Sequence, residues 1–126
     1  MPRFSALSSA SLPRPLRVAL YAAACLVLLY MALAPTRDVP GADLVWDKAE
    51  HAGAWMVLTV LGLLLSTRRR WAVGVFALVF GVVIEVLQSI LPFGRDGELS
   101  DLVADGLGIA AAYGLWWIAR RLGWVR

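Results

Sequence analysis

The sequence predicts an all-α protein, a four-helix transmembrane bundle with both chain termini on the cytoplasmic side. One observation is composition: 60% of the residues are hydrophobic and 17% are charged, whereas a soluble domain is about half apolar. Another is that four apolar stretches lie at about residues 18–34, 52–66, 71–90 and 102–119. Each is close to the roughly 20 residues that cross a bilayer as a helix. The distribution of charge around these stretches then predicts their orientation.

Charge is segregated between the two ends of the predicted helices. Nine of the twelve basic residues flank one end, with no acidic residue among them: Arg3, Arg14, Arg17, Arg68, Arg69, Arg70, Arg120, Arg121 and Arg126. The other end has Arg37, Lys48 and Arg95 together with all nine acidic residues. Because basic loops stay in the cytoplasm, the pattern predicts a multi-pass membrane protein, N-in and C-in. The cations form short clusters at helix ends, so we expect no nucleic-acid binding.

The first two helices are delimited by proline and by charge. The first apolar stretch predicts a helix over residues 17–34 that ends before Pro35. The second stretch is short, and we extend its helix back to Asp47 so that polar residues form its outer turn. A signal peptide cleaved after Ala34, or a lipoprotein motif at Cys25, remains an alternative for the N-terminal region. Pro35 disfavours the cleavage.

The last two helices each contain an acidic residue. The third, over residues 71–90, contains Glu85 and ends before Pro92. The fourth begins near Asp101 and contains Asp105. The short connection before the third helix predicts an antiparallel hairpin. The predicted organisation is therefore a flexible cytoplasmic tail (1–15), a membrane domain (16–120) and a short basic tail (121–126).

Polar residues recur at helical spacing near the outer ends of the last three helices. Asp47 and His51 are four residues apart, and so are Asp101 and Asp105, so each pair shares a helix face. Glu85 and Gln88 are three residues apart inside the third helix, where a charge costs about 2.5–3.5 kcal/mol and must face the bundle. We therefore expect one outer-face polar cluster, comprising Asp47, Lys48, His51, Glu85, Gln88, Arg95, Asp101 and Asp105.

Plainer roles compete for several of these residues. Asp101 or Ser100 would serve as the N-cap of the fourth helix, and Asp47 as that of the second. For the buried charge of Glu85 the expected partner is Lys48 or Arg95, with His51 next. A divalent metal is disfavoured because the chain has a single histidine and no second nitrogen or sulfur ligand. We expect no metal and no cofactor.

Helix contacts in a membrane are expected from small residues, because lipid provides no hydrophobic drive for helices to associate. Gly106, Ala110 and Gly114 form a stripe of small residues at four-residue spacing on the fourth helix. The sequence predicts that this stripe packs against another helix.

Taken in order, Asp47-Lys48-x-x-His51, then Glu85-x-x-Gln88, then Arg95 with Asp101 six residues later, then Gly108 resembles the VanZ-like family of small integral membrane proteins. The resemblance spans about residues 46–112, and it adds Gly108 to the expected packing positions. Two features depart from the family pattern. Asp105 stands where the family usually has Asn, and the spacing from Gln88 to Arg95 is about one residue longer.

The resemblance implies a relation to glycopeptide resistance, since the founding member is associated with low-level resistance to teicoplanin, a lipoglycopeptide. The family has no generally agreed reaction. We expect the outer cluster to bind or modify a cell-envelope amphiphile, such as a lipid-linked wall precursor or a lipoglycopeptide. Membrane lipids are the expected partners, and homo-oligomerisation is left open. The alternatives are an enzyme acting on a lipid head group, a small transporter or accessory subunit, and a purely structural membrane protein.

Overall fold

The computed structural model describes residues 11–35, 47–92 and 96–126, and it confirms the all-α prediction. The described residues form four helices: α1 (Arg14–Leu33), α2 (Asp47–Leu65), α3 (Arg70–Ile90) and α4 (Leu99–Arg121). All four are long and apolar enough to cross a membrane. At 1.5 Å per residue, the shortest, with 19 residues, measures about 28 Å, close to the roughly 30 Å of a bilayer's hydrocarbon core. The chain is therefore a multi-pass integral membrane protein.

The helix boundaries follow the local chemistry. α1 begins three residues earlier than predicted, with a proline at its first turn, where the missing amide proton costs nothing. Its C-cap Ala34 and the C-cap of α3, Leu91, are both extended, as expected for residues that precede proline. The described part of α2 starts at Asp47, and the residues before it lie outside the described ranges. α4 begins at Leu99, two residues before the predicted start.

Helices that follow one another in the chain run antiparallel, whereas α2 and α4 run parallel, so the bundle has two chemically distinct ends. At one end the guanidinium of Arg17 donates to the carbonyl of Leu65, 2.8 Å away, at the end of α2. We call this the basic end; it also carries Arg14, Arg68, Arg69, Arg70, Arg120 and Arg121. At the other end the Gln88 side-chain amide donates to the carbonyl of Ala32 over 2.8 Å. This acidic end carries Asp47, Glu50, Glu85, Glu98, Asp101 and Asp105.

The closest helix contact joins α2 and α4. A Cβ added at Gly108 would collide with the backbone carbonyl of Ala52, and it would lie 3.0 Å from the amide nitrogen of Met56. The buried residues of α4 are Asp101, Ala104, Asp105, Gly108 and Ala112, which form one helical face. The core beside this contact contains Trp55, Ala77 and Ile84. By contrast α1 has no buried residue and lies at the periphery.

The predicted stripe on α4 faces away from this contact. Ala110 and Gly114 are exposed, and a Cβ built at Gly106 or Gly114 meets no described atom within 4 Å. The expectation that this stripe packs inside the bundle is therefore corrected, and Gly108 takes that position. The reason is the angle between the two glycine faces: Gly106 and Gly108 are two residues apart, which is about 200° around a helix. Burying the face of Asp101, Asp105 and Gly108 thus turns the stripe outward.

Candidate functional site

An imidazole lies at the centre of the acidic end. The Nδ1 atom of His51 is 2.8 Å from Asp105 Oδ1 and 4.0 Å from Glu85 Oε1. Its Nε2 atom is 3.7 Å from Asp101 Oδ2. The His51 side chain is 11% exposed. Helices α3 and α4 thus present three carboxylates to one histidine of α2.

Lys48 forms a second centre, one turn before His51. Its ammonium donates to Asp101 in a short contact and to Glu98 Oε2 over 2.7 Å. Asp47 Oδ2 is farther, at 3.7 Å, and its side chain is half exposed. The Lys48 hydrogen bond lowers the pKa of the Glu98 carboxyl, which lies just before α4. The expected pairing of Lys48 with Glu85 is thus replaced by pairing with the start of α4.

Glu85 and Gln88 are held from two sides. The backbone amide of Glu98 donates to Glu85 Oε2 over 2.9 Å, while Oε1 has no hydrogen-bond partner among the described residues. Of the two expected bases that the structure describes, His51 lies beside Glu85 and Lys48 does not. The Gln88 amide group ties α3 to the end of α1, and its Oε1 is buried without a described partner.

Asp105 is the most deeply buried acid, with 0% of its surface exposed. One oxygen contacts His51, and the other, Oδ2, makes no hydrogen bond within the described ranges. A Cβ at Gly81 would approach this oxygen to 2.9 Å. The absence of a side chain at Gly81 therefore lets α3 and α4 enclose the carboxylate.

Trp55 packs against the imidazole of His51. The sequence did not predict Trp55 as a site residue. Its indole stacks on His51 with ring centroids 5.8 Å apart and an interplanar angle of 14°. Its Nε1 donates to the Ala77 carbonyl over 2.9 Å. The available signal was its position four residues after His51, on the same helix face. Glu98 was also missed, because loop residues carry no helical spacing.

An amphipathic groove opens beside the site, between α1 and α2. It encloses about 580 Å³. The polar side chains lining it are those of Asp47, Glu50, His51 and Gln88. The apolar wall includes Ala24, Val27, Leu28, Met31, Val57 and Leu61.

Two sets of side chains at the acidic end have the geometry of metal ligands. Asp47, His51 and Asp101 form one set, and His51, Glu85 and Asp105 form the other. In each set the ligand atoms lie within 4.8 Å of one another. The sequence left a divalent ion held by His51 and carboxylates open as an alternative, and disfavoured it because no second nitrogen or sulfur ligand is present.

The predicted cluster is assembled almost as a whole. Five of its eight members lie in one network of contacts (Lys48, His51, Glu85, Asp101 and Asp105), and Asp47 lies at its exposed edge. Gln88 bonds to Ala32 and lines the groove beside His51. Arg95 lies outside the described residues. Asp101 lies in the first turn of α4, whose N-cap Glu98 makes no side-chain capping bond. The capping role considered for Asp101 is thus replaced by contacts with α2.

Comparison with known proteins agrees with this architecture. Searches of curated proteins and of solved structures gave no significant match. A family model described as VanZ/LLP1 matches residues 18–120, which includes most of α1, all of α2 and α3, nearly all of α4 and the network around His51. The chain belongs to the VanZ/LLP1 family.

Proposed function

We propose that this protein binds an amphiphile from the outer leaflet of the bacterial inner membrane, with the head group at the acidic end and the tail in the groove between α1 and α2. The single observation that carries the proposal is the groove itself, which joins a polar mouth to an apolar wall. A water-soluble ligand would gain no binding energy from an apolar wall at the depth of the lipid tails.

The orientation required by this proposal is N-in and C-in. It is supported by the arginines of the basic end, because basic residues near helix ends stay in the cytoplasm. The acidic end then lies at the outer surface of the membrane. An amphiphile of the outer leaflet would enter the groove sideways between α1 and α2.

The dimensions of the groove suit one hydrocarbon chain. Its lining on α2 runs from Asp47 to Leu61. From His51 to Leu61 a helix rises about 15 Å, which is half of the roughly 30 Å core of a bilayer. A tail in this groove would therefore follow the depth of one leaflet. α1, which buries no residue, is the helix best placed to yield to it.

The polar mouth favours a head group that donates hydrogen bonds. Asp47 and Glu50 line it with carboxylates, and Gln88 adds an oxygen without a described partner. Lys48 is already held by Glu98 and Asp101, so this geometry gives it no free role toward a phosphate. Amines, amides and hydroxyls fit this mouth best. Lipid-linked wall precursors and lipoglycopeptides such as teicoplanin carry such groups, and the family resemblance supports the latter.

The test is teicoplanin susceptibility in a sensitive host expressing the chain, with membrane accumulation checked. Ala24→Phe would fill the groove, whereas Ala23→Phe, at an exposed position outside its lining, is the matched control. We expect the wild type and Ala23→Phe to protect and Ala24→Phe to lose protection. A glycopeptide without an acyl tail should show no such difference. Equal protection by both variants would contradict binding in the groove.

Lipids that co-purify with the protein give a second readout. If no form protects against teicoplanin, the drug is removed from the proposal. Mass spectrometry of the purified proteins then decides the rest. An amphiphile retained by the wild type and Ala23→Phe but lost from Ala24→Phe supports the groove as its site, and equal lipid content in all three contradicts it.

A second candidate function is an enzyme that acts on a lipid head group by acid–base chemistry. The observation favouring it is the His51–Asp105 contact of 2.8 Å, since a carboxylate that orients an imidazole is a common arrangement in general acid–base catalysis. The test compares envelope lipids of cells expressing the wild type or His51→Gln. A lipid species altered only by the wild type would support catalysis, and identical lipid profiles would count against it.

A further inference from the structure

Three buried carboxyl groups meet at the acidic end. Glu85, Asp101 and Asp105 are all at least nine-tenths buried. Lys48 supplies one fixed positive charge, and it is bonded to Asp101. Among the described residues, Glu85 and Asp105 pair with no lysine or arginine, and their basic neighbour is His51. Carboxylates at this depth are stabilised by a cation beside them.

The free oxygen atoms point to the place where such a cation would bind. Glu85 Oε1 and Asp105 Oδ2 are both buried without a hydrogen-bond partner in the part of the chain that the structure describes. Native proteins rarely leave buried carboxylate oxygens unsatisfied. The two carboxylates flank the same nitrogen, His51 Nδ1.

We propose that His51, Glu85 and Asp105 bind one divalent transition-metal cation. Metal bonds of about 2.0–2.2 Å can join ligand atoms up to about 4.4 Å apart. His51 Nδ1 lies 2.8 Å from Asp105 Oδ1 and 4.0 Å from Glu85 Oε1, and the three ligand atoms all lie within 4.8 Å of one another, so side-chain adjustments would bring them to one ion. One imidazole with two carboxylates suits zinc, manganese or iron(II) better than magnesium or calcium.

The surroundings resemble the outer shell of a metal site. Asp101 Oδ2 lies on the Nε2 side of the imidazole, where a carboxylate commonly orients a metal-binding histidine. Trp55 stacks on the ring and restricts its rotation. The other candidate set contains Asp47, whose side chain is half exposed. The more enclosed set of His51, Glu85 and Asp105 is therefore the one we assign.

The proposal does not depend on amphiphile binding, although the ion would lie beside the mouth of the groove. A metal held by His51, Glu85 and Asp105 leaves the carboxylates of Asp47 and Glu50 free to accept hydrogen bonds from a head group. With three protein ligands, a bound cation would keep one coordination position open, and it would act there as a Lewis acid at the mouth of the groove. The experiment below contains neither drug nor added lipid, so its outcome is separate from that of the susceptibility test.

The test measures Zn²⁺ binding by calorimetry to the full-length protein in detergent after treatment with a chelator. We expect one ion per chain in the wild type. Glu85→Gln and Asp105→Asn, which keep side-chain shape, should each weaken binding about tenfold to a hundredfold or more. Asp96→Asn, at an exposed acid outside the groove and outside both candidate sets, is the matched control and should bind like the wild type. Asp47→Asn tests the other set and should also retain binding. Loss of binding in Asp47→Asn, with retention in Asp105→Asn, would overturn the assignment.

Two measurements on the wild type guard against variants that fail to fold. Zn²⁺ should raise the melting temperature of the wild type, because a ligand that binds only the folded state stabilises it. Co²⁺ in place of Zn²⁺ should give visible absorption of a site with nitrogen and oxygen ligands. A folded wild type that binds neither ion would refute the proposal.

Discussion

The two ends of the bundle treat charge in opposite ways. At the acidic end, carboxylates are buried and bonded from one helix to another, as in the contacts of His51 with Asp105 and of Lys48 with Asp101. At the basic end, arginines lie at the surface and bond to backbone carbonyls or rings. Arg70 donates to the carbonyl of Arg126 over 2.6 Å, and Arg121 lies 4.7 Å from the ring centre of Trp117.

The difference follows from side-chain length. Arginine has a long apolar stem that lets the guanidinium reach the membrane surface from a helix end. Aspartate and glutamate two turns inside a helix have no such reach, so other helices must provide their partners. The arginines of the basic end therefore favour one orientation of the chain in the membrane, whereas the carboxylates of the acidic end determine which helix faces meet. Four substitutions or conditions test this comparison, in decreasing order of expected effect.

Gly108→Ala should give the largest loss of stability. Its Cβ would collide with the carbonyl of Ala52, and overpacking costs about 1–3 kcal/mol, with a rigid backbone neighbour placing this case near the top. Gly106→Ala has open space among the described atoms and gains helix propensity worth up to about 1 kcal/mol. Thermal unfolding in detergent should therefore shift in opposite directions. Equal shifts would disprove the close α2–α4 contact.

Asp101→Asn should come second. It removes a charged partner of Lys48 in a side chain that is 5% exposed, and hydrogen bonds to charged groups contribute about 1.5–3 kcal/mol. Asp47→Asn, also near Lys48 but half exposed, should change the free energy of unfolding by less than about 1 kcal/mol. Denaturant titration of both variants measures the difference. If Asp47→Asn were the more harmful, the buried network would not be the stabilising element.

Tyr113→Phe tests the basic end and should have a smaller effect. The Tyr113 hydroxyl donates to the carbonyl of Arg70 and accepts from the amide of Gly74 over 2.9 Å. A neutral hydrogen bond contributes about 1 kcal/mol. Tyr30→Phe, at an exposed position of α1, is the control and should match the wild type in melting temperature. If Tyr113→Phe lowered the melting temperature more than Asp101→Asn does, the acidic end would not contribute more to stability than the basic end.

The smallest effect is expected from the Lys48–Glu98 pair as pH falls. The folded pKa of Glu98 is lowered, so its contribution to stability is complete above its unfolded pKa and disappears as pH falls through the folded value. Glu98 is well exposed, so the effect should be small. Melting temperatures of the wild type and Glu98→Gln should differ near neutral pH and converge in acid. A constant difference would show that the ion pair contributes nothing.

The number of helices and most of their limits were predictable, and so was the proximity of most residues in the predicted cluster. Residues at three- and four-residue spacing, such as Asp101 with Asp105, share a face on any helix, and Glu85 inside an apolar helix had to face the bundle. Glu98 was not predictable, because its role depends on a loop that brings its amide to Glu85. The packing stripe was chosen wrongly, because two glycine faces of α4 look equally suitable until the acids decide which one is buried.

The sequence by itself determined the number of helices, their approximate limits and the separation of charge, because hydropathy and helical period are local properties. Only the tertiary structure decided that Lys48 pairs with Glu98 and Asp101, that His51 meets Glu85 and Asp105, and that Gly108 is the point of closest approach. Those pairings depend on the rotation and depth of each helix relative to its neighbours. Rotation and depth are set by packing all four helices at once, which no single stretch of sequence encodes.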